Sequence, residues 1–209
     1  MRTLIFSALL AFGSLMTHSA MADSLVAGKH YNVLANPVTT SQADKIEVVA
    51  LFGYSCPYCY QLEPTLNEWK KDLPEDVSFV KMPAMFGGVW NLHGQMFYTL
   101  QALKADDSIH EAIFKGMHEQ NRRLASLPEI TAFVGNLGID KDSFVKAWNS
   151  FGVKSQMERA KRQAIAFQVS GVPTLVVNGK YRFDIGMAGG LRETAEVADQ
   201  LIAKERNAQ

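Results

Sequence analysis

Two cysteines, the only two in the chain, lie three residues apart where an extended run gives way to a helical one. Lys45 to Phe52 is short, β-branched and apolar enough for a strand buried on both faces. Cys56-Pro57-Tyr58-Cys59 follows after Gly53-Tyr54-Ser55. A proline directly after Cys56 has its φ preset for the first helical position, where a missing N–H costs nothing. Cys56 then stands at the N-cap and Cys59 at the third helical position, close enough for the two sulfurs to bond. A thiolate at that N-cap meets free N–H groups and the positive end of the helix dipole, so its pKa should fall.

This arrangement reads as a redox switch, against two plainer readings. A structural disulfide across a four-residue ring removes only about 2 kcal/mol of unfolded-chain entropy, against about 4.7 for a 100-residue loop. A metal site would need further ligands at finger-like spacing, and none stands nearby. His30, His93, His110 and His118 are too scattered for a ligand set and read as surface or satisfied histidines. Met82, Met85, Met96 and Met117 read as core fillers or as the lining of an apolar groove. No cofactor or metal is expected.

The N-terminus has the form of an export signal. Arg2 gives a positive start, Leu4 to Met16 an apolar core, and Ala20-Met21-Ala22 a small-residue cleavage site. That core is shorter than the roughly 20 residues of a membrane span. Cleavage is expected after Ala22, giving an exported protein that begins at Asp23. Export also places the cysteines where disulfide chemistry is productive. The 21 basic and 21 acidic side chains balance, which gives no reason to expect a nucleic-acid partner.

The periodicity continues as β, α, β through Met82, with Cys59, Leu62, Leu66, Trp69 and Leu73 forming the inward stripe of the helix after Pro57. Cys59 therefore faces the core, and Cys56 is expected at an exposed tip. A mostly helical stretch follows, with S-x-x-E capping patterns at Ser108 and Ser126 and a cap at Asp140. The strand pattern then returns as a hairpin, Thr174–Val177 and Tyr181–Asp184 around Asn178-Gly179, before a last helix. The order is βαβ, helices, ββα. Sheet elements at both ends must meet, so the helices are looped out of an α/β domain. The expected division is 1–22 signal, 23–86 first part of the sheet domain, 87–160 helical insertion and 161–209 second part.

These residues resemble the thioredoxin fold and, within it, the DsbA family of periplasmic thiol–disulfide oxidases. The resemblance rests on Cys56-Pro57-Tyr58-Cys59, Pro64, the inserted helices and Gly171-Val172-Pro173 before the hairpin. Gly28-Lys29-His30-Tyr31, Trp148-Asn149-Ser150-Phe151 and Val177-Asn178-Gly179-Lys180-Tyr181 extend it over the mature chain. A lone X–Pro bond is mostly trans, but the resemblance implies that Val172–Pro173 is cis and lies against the cysteines. It implies catalysis by Cys56 and Cys59, support from Pro57, Tyr58, Val172 and Pro173, and donation of disulfides to reduced exported polypeptides. It also implies a monomer in the periplasm of a Gram-negative bacterium, reoxidised by a DsbB-type membrane quinone reductase. The rival functions are a periplasmic reductase or isomerase, and a peptide-binding chaperone with incidental cysteines.

Two positions depart from the family pattern. Tyr58 stands where relatives often have histidine, and a phenol supplies no cationic charge to the thiolate. Ala50 stands where many members carry a buried acid, so Lys81 is expected to lack its partner. Both lead to the expectation of a milder oxidant with a higher Cys56 pKa than histidine-containing relatives.

Overall fold

The computed structural model describes residues 25–208, so the expected signal and its cleavage site lie outside the described residues. The sheet is built around β2 (Ile46–Phe52), every residue of which is buried. A strand this apolar on both faces belongs inside a sheet. The five strands run in the order β1-β5-β4-β2-β3, with β1 (Asn32–Val33), β3 (Val77–Pro83), β4 (Thr174–Val177) and β5 (Tyr181–Asp184) around it. β3 lies parallel to β2, as a crossover through the first helix requires, and β4 pairs antiparallel on the other side. The two ends of the chain do meet in one sheet.

Period-2 alternation divides β2 between two cores. Ile46, Val48 and Ala50 pack with Leu62 and Leu66 of α1 (Pro57–Trp69) and with Val197, Ala198, Leu201 and Ile202 of the C-terminal helix. Val49 and Leu51 face the opposite way, onto Val153, Ala160, Ala164 and Phe167. Between β3 and β4 the chain forms α2 (Gly88–Ala102), α3 (Asp107–His118), α4 (Leu127–Asn136), α5 (Lys141–Trp148) and α6 (Phe151–Ala166). After β5 come the short α7 (Ile185–Ala188) and α8 (Glu193–Arg206). α6 runs unbroken through residue 160, so one helix serves both the helical layer and the sheet. A third core joins Phe52, Tyr54, Cys56 and Cys59 to Met96, Ile113, Phe114, Ile130, Val134, Phe144 and Trp148. The cysteine pair thus sits at the seam between sheet and helices.

Local details differ from the periodicity in two places. α1 ends at Trp69 and tightens into a 3-10 turn over Lys70–Asp72, leaving Leu73 outside the helix. The cap of α3 is Asp106, whose carboxylate accepts from the Ser108 N–H at 2.8 Å, and not Ser108. A carboxylate two residues upstream is the stronger acceptor and also meets the helix dipole. Ser126 and Asp140 cap as expected. The hairpin turn places Asn178 at φ 50° and Gly179 at φ 62°, which suits a primed turn. Gly179 is doubly constrained, since a Cβ there would lie 1.9 Å from the Val38 carbonyl oxygen.

Candidate active site

Cys56 is the N-cap of α1, with extended backbone at φ −88° and ψ 116°, and Pro57 opens the helix. The Cys59 N–H donates to Cys56 Sγ at 3.3 Å, so sulfur fills the place of a capping oxygen. The Cys56 thiol is thereby held down at about 6. The hydrogen bond from the Cys59 side chain is the largest cause, burial opposes it, and the main-chain N–H groups of Cys59 and Tyr58 add to it. Cys59 behaves oppositely: burial first, then the neighbouring Cys56, push its thiol far up. One sulfur is poised to be a thiolate and leaving group, the other to hold a proton.

Cys56 does not stand at an exposed tip. It retains only 8% of its surface, because the segment before β4 covers it, and its thiol meets the Val172 carbonyl at 3.5 Å. The Val172–Pro173 peptide is cis. Thr174 Oγ1 donates to the Gly171 carbonyl at 2.8 Å, and Arg182 donates to the carbonyls of Phe167 and Gln168, tying this loop to β5. Beside it runs a groove of about 470 Å³ bounded by Tyr58, Gly171, Val172, Pro173, Asp184 and Met187. Tyr58 is 62% exposed on its rim, so its ring stands in solvent while its N–H serves the sulfur. The structure therefore brings together Cys56, Pro57, Tyr58, Cys59, Val172 and Pro173.

Lys81 is not left without a partner. Ala50 and Lys81 face each other across β2 and β3, and the acid comes instead from α1: Glu63 binds the Lys81 ammonium, and Asn67 accepts from it at 3.1 Å. Cys59, Glu63 and Asn67 are spaced four apart and share one helix face. That spacing was visible in the sequence, but a charged residue beside the apolar stripe of Leu62 and Leu66 reads first as solvated. Burial lowers the Lys81 ammonium to about 8.

His110 likewise departs from the reading as a satisfied histidine. It is buried among Phe52, Phe97 and Phe114, with Nδ1 2.7 Å from the Tyr54 hydroxyl. Its Nε2 lies 3.3 Å from Glu63 Oε1 without an aligned hydrogen bond. His118, two turns on, donates to the Tyr54 carbonyl at 2.7 Å and stacks on Tyr60. No sequence signal pairs α3 with the residues flanking the cysteines; only the tertiary fold does.

The chain matches the DSBA-like thioredoxin domain over residues 91–201. It is 53% identical over 208 residues to the thiol:disulfide interchange protein DsbA of Pseudomonas aeruginosa, covering 100% of this chain and 99% of that one. The chain belongs to the DsbA family. A DsbA from Azotobacter vinelandii is also 53% identical, with 100% of both chains covered. The crystal structure of Pseudomonas aeruginosa DsbA superposes with a TM-score of 0.87 over 90% of this chain and 97% of that one. A Proteus mirabilis DsbA with a non-covalently bound peptide, PWATCDS, superposes with a TM-score of 0.74 at 26% identity, over 87% of this chain and 97% of that one. DsbA proteins are disulfide-donating oxidoreductases, and so is this chain. Its reaction requires substrate proteins and a redox partner.

The perturbed thiol of this DsbA protein links redox state to pH. In the reduced form a Cys56 thiol lowered from near 9 to about 6 adds stability that is complete above its unfolded value and vanishes as pH falls through 6. The melting temperature of the reduced protein, compared with that of its Cys56→Ala variant, should therefore rise between pH 6 and 9. A difference independent of pH over that window would show that the thiolate is not stabilised.

Proposed function

We propose that Cys56 is the sulfur exchanged with substrates and Cys59 the buried partner. In the oxidised protein the two share a disulfide. A substrate thiolate attacks Cys56, the Cys56–Cys59 bond breaks, and Cys59 departs with the electron pair. A second substrate thiolate then attacks the substrate sulfur of the mixed disulfide and releases Cys56 as a thiolate. The position of Cys56 at the start of α1, with a thiol lowered to about 6, carries this reading, because a stabilised thiolate is the better leaving group. Pro57 sets the helix start, and the Tyr58 N–H supports the sulfur.

Substrates are extended segments of reduced exported polypeptides, seated in the groove with Val172 and Pro173 beside the sulfur. The peptide bound by Proteus mirabilis DsbA supports that choice. The main chain at Val172, which lies beside the sulfur, suits a partner in extended conformation. The protein works as a monomer in the periplasm of a Gram-negative bacterium, exported by cleavage after Ala22 and reoxidised by a DsbB-type membrane quinone reductase. Among the described residues no helix is long and apolar enough to cross a membrane.

Cys59→Ala tests the roles of the two sulfurs. The lone Cys56 thiolate of this variant attacks a disulfide of an oxidised polypeptide, the reverse of donation, releasing one polypeptide thiolate. With no buried thiol to resolve it, the mixed disulfide accumulates and appears on non-reducing gels. Adducts no more abundant than in the unaltered protein would reverse the assignment.

A further inference from the structure

A groove of about 690 Å³ lies between α3 and α4, and none of its lining residues belongs to the groove beside Val172 and Pro173. Ala112 and Lys115 of α3 form one wall. Glu129, Ala132, Phe133 and Asn136, at the 3-4 spacing of one face of α4, form the other. Leu124, from the loop that joins the two helices, makes an apolar floor with Phe133 and Leu137. That floor is sunk. Leu124 is buried, and the Phe133 ring packs so closely on Gly116 that a Cβ there would lie 2.5 Å from it. The volume falls within the roughly 300–1,000 Å³ of ligand sites, which likewise set a few polar groups around an apolar base.

The rim is basic. Lys115, Arg122 and Arg123 stand exposed around it, against the single carboxylate of Glu129, whose Oε2 accepts from the Ala125 N–H at 2.9 Å. Elsewhere Lys70, Lys71, Lys81, Lys180, Arg192 and Arg206 each pair with a carboxylate, whereas among the described residues these three cations do not. Capping of α3 does not account for them. The Lys115 carbonyl already accepts from the Glu119 and Gln120 N–H groups, and the Gly116 carbonyl accepts from the Arg122 N–H at 2.9 Å. The loop that carries both arginines is also held in one shape. Asn121 and Leu124 have left-handed backbone, at φ 55° and 47°, which is uncommon for leucine. Buried His93 fixes the second of them by donating from Nε2 to the Leu124 carbonyl at 3.2 Å. Arginines on a loop already ordered meet a ligand with less main-chain entropy to lose.

We propose that this groove binds an acidic peptide segment, whose carboxylates meet Lys115, Arg122 and Arg123 while an apolar side chain between them settles on Leu124, Phe133 and Leu137. Charge complementarity selects the anion, since a guanidinium presents a planar fork that matches a carboxylate. The side-chain amides of Gln120, Asn121 and Asn136 line the same groove and suit a peptide main chain, because each both donates and accepts. A membrane surface does not fit the shape. It calls for apolar side chains that protrude, and here they form a floor below the charges. Because the two grooves share no lining residue, a polypeptide held at this one leaves the groove beside Cys56 open.

Amide NMR of the isotope-labelled oxidised protein tests the site with the capped peptide acetyl-Asp-Leu-Asp-Leu-Asp-amide, which has no cysteine to exchange. Shifts are expected to gather within residues 112–137. Asparagine in place of the aspartates, or serine in place of the leucines, should each weaken binding about tenfold. Arg122→Gln combined with Arg123→Gln should weaken the parent peptide about tenfold, the sum of two exposed charge pairs, and added salt should act in the same direction. The asparagine peptide should bind the double variant and the unaltered protein alike. Lys115→Gln, on the opposite wall, serves if the double variant does not fold, with an expected loss of about threefold. Shifts confined to the groove beside Val172 and Pro173 would overturn the proposal, as would an affinity unmoved by either variant. Equal binding of the parent and asparagine peptides, or of the parent and serine peptides, would do the same. Binding of phosphatidylglycerol vesicles at residues 112–137 without binding of the peptide would make this face a membrane contact and overturn it as well.

Discussion

Cys56→Ser is expected to lower disulfide donation to the uncatalysed background while leaving the fold in place. The two halves of that outcome have separate physical causes. Serine is among the preferred N-cap residues, and its hydroxyl accepts from the Cys59 N–H as sulfur does, so α1 keeps its cap. What is lost is the polarisable atom that forms and breaks the S–S bond. No neighbour can replace it, because the remaining sulfur on Cys59 is 3% exposed and holds its proton. Refolding of a reduced, disulfide-dependent protein, followed together with thermal denaturation of the variant, checks both halves. Measurable donation by a folded Cys56→Ser protein would refute the catalytic assignment and favour a binding protein whose cysteines are incidental.

Phe114→Ala is expected to cost about 3–5 kcal/mol of stability, the usual range for a fully buried phenylalanine. Phe114 is 1% exposed, and its ring lies 5.0 Å from Tyr54, 5.1 Å from His110 and 5.9 Å from Phe52. It is the middle of an α3 face, His110, Phe114 and His118, that meets both flanks of the cysteine motif. Removing it opens a hole where α3 supports the start of α1, and neither helix can close that hole without moving the active site. Chemical denaturation of the reduced protein measures the loss. A change below about 1 kcal/mol would mean that α3 contributes little to holding the motif.

The strand before the motif, the helix after it and the terminal hairpin were legible in the sequence because each depends on local pattern. β-Branched runs, 3-4 spacing and an Asn-Gly turn act over a few residues, and β2, α1, β4 and β5 follow them closely. The chemistry of Cys56 was legible for the same reason, since an N-cap is a local structure and proline at the next position defines it. The order of elements also implied that the two ends share a sheet and that the helices lie outside it.

What the sequence left open depends on contacts between residues far apart in the chain. Whether Cys56 is exposed is decided by a loop 116 positions away, whose Val172 carbonyl comes to 3.5 Å from the sulfur. Whether Lys81 has a partner depends on which helix face meets β3, and Glu63 supplies the carboxylate that position 50 lacks. His110 belongs to an amphipathic helix in which a histidine has no special meaning until folding places it between Tyr54 and Glu63. The local code therefore determined the strand–helix junction and its reactive sulfur. The groove beside that sulfur and the charged cluster behind it were decided by tertiary packing, because burial and long-range pairing, not residue type, determine how those side chains behave.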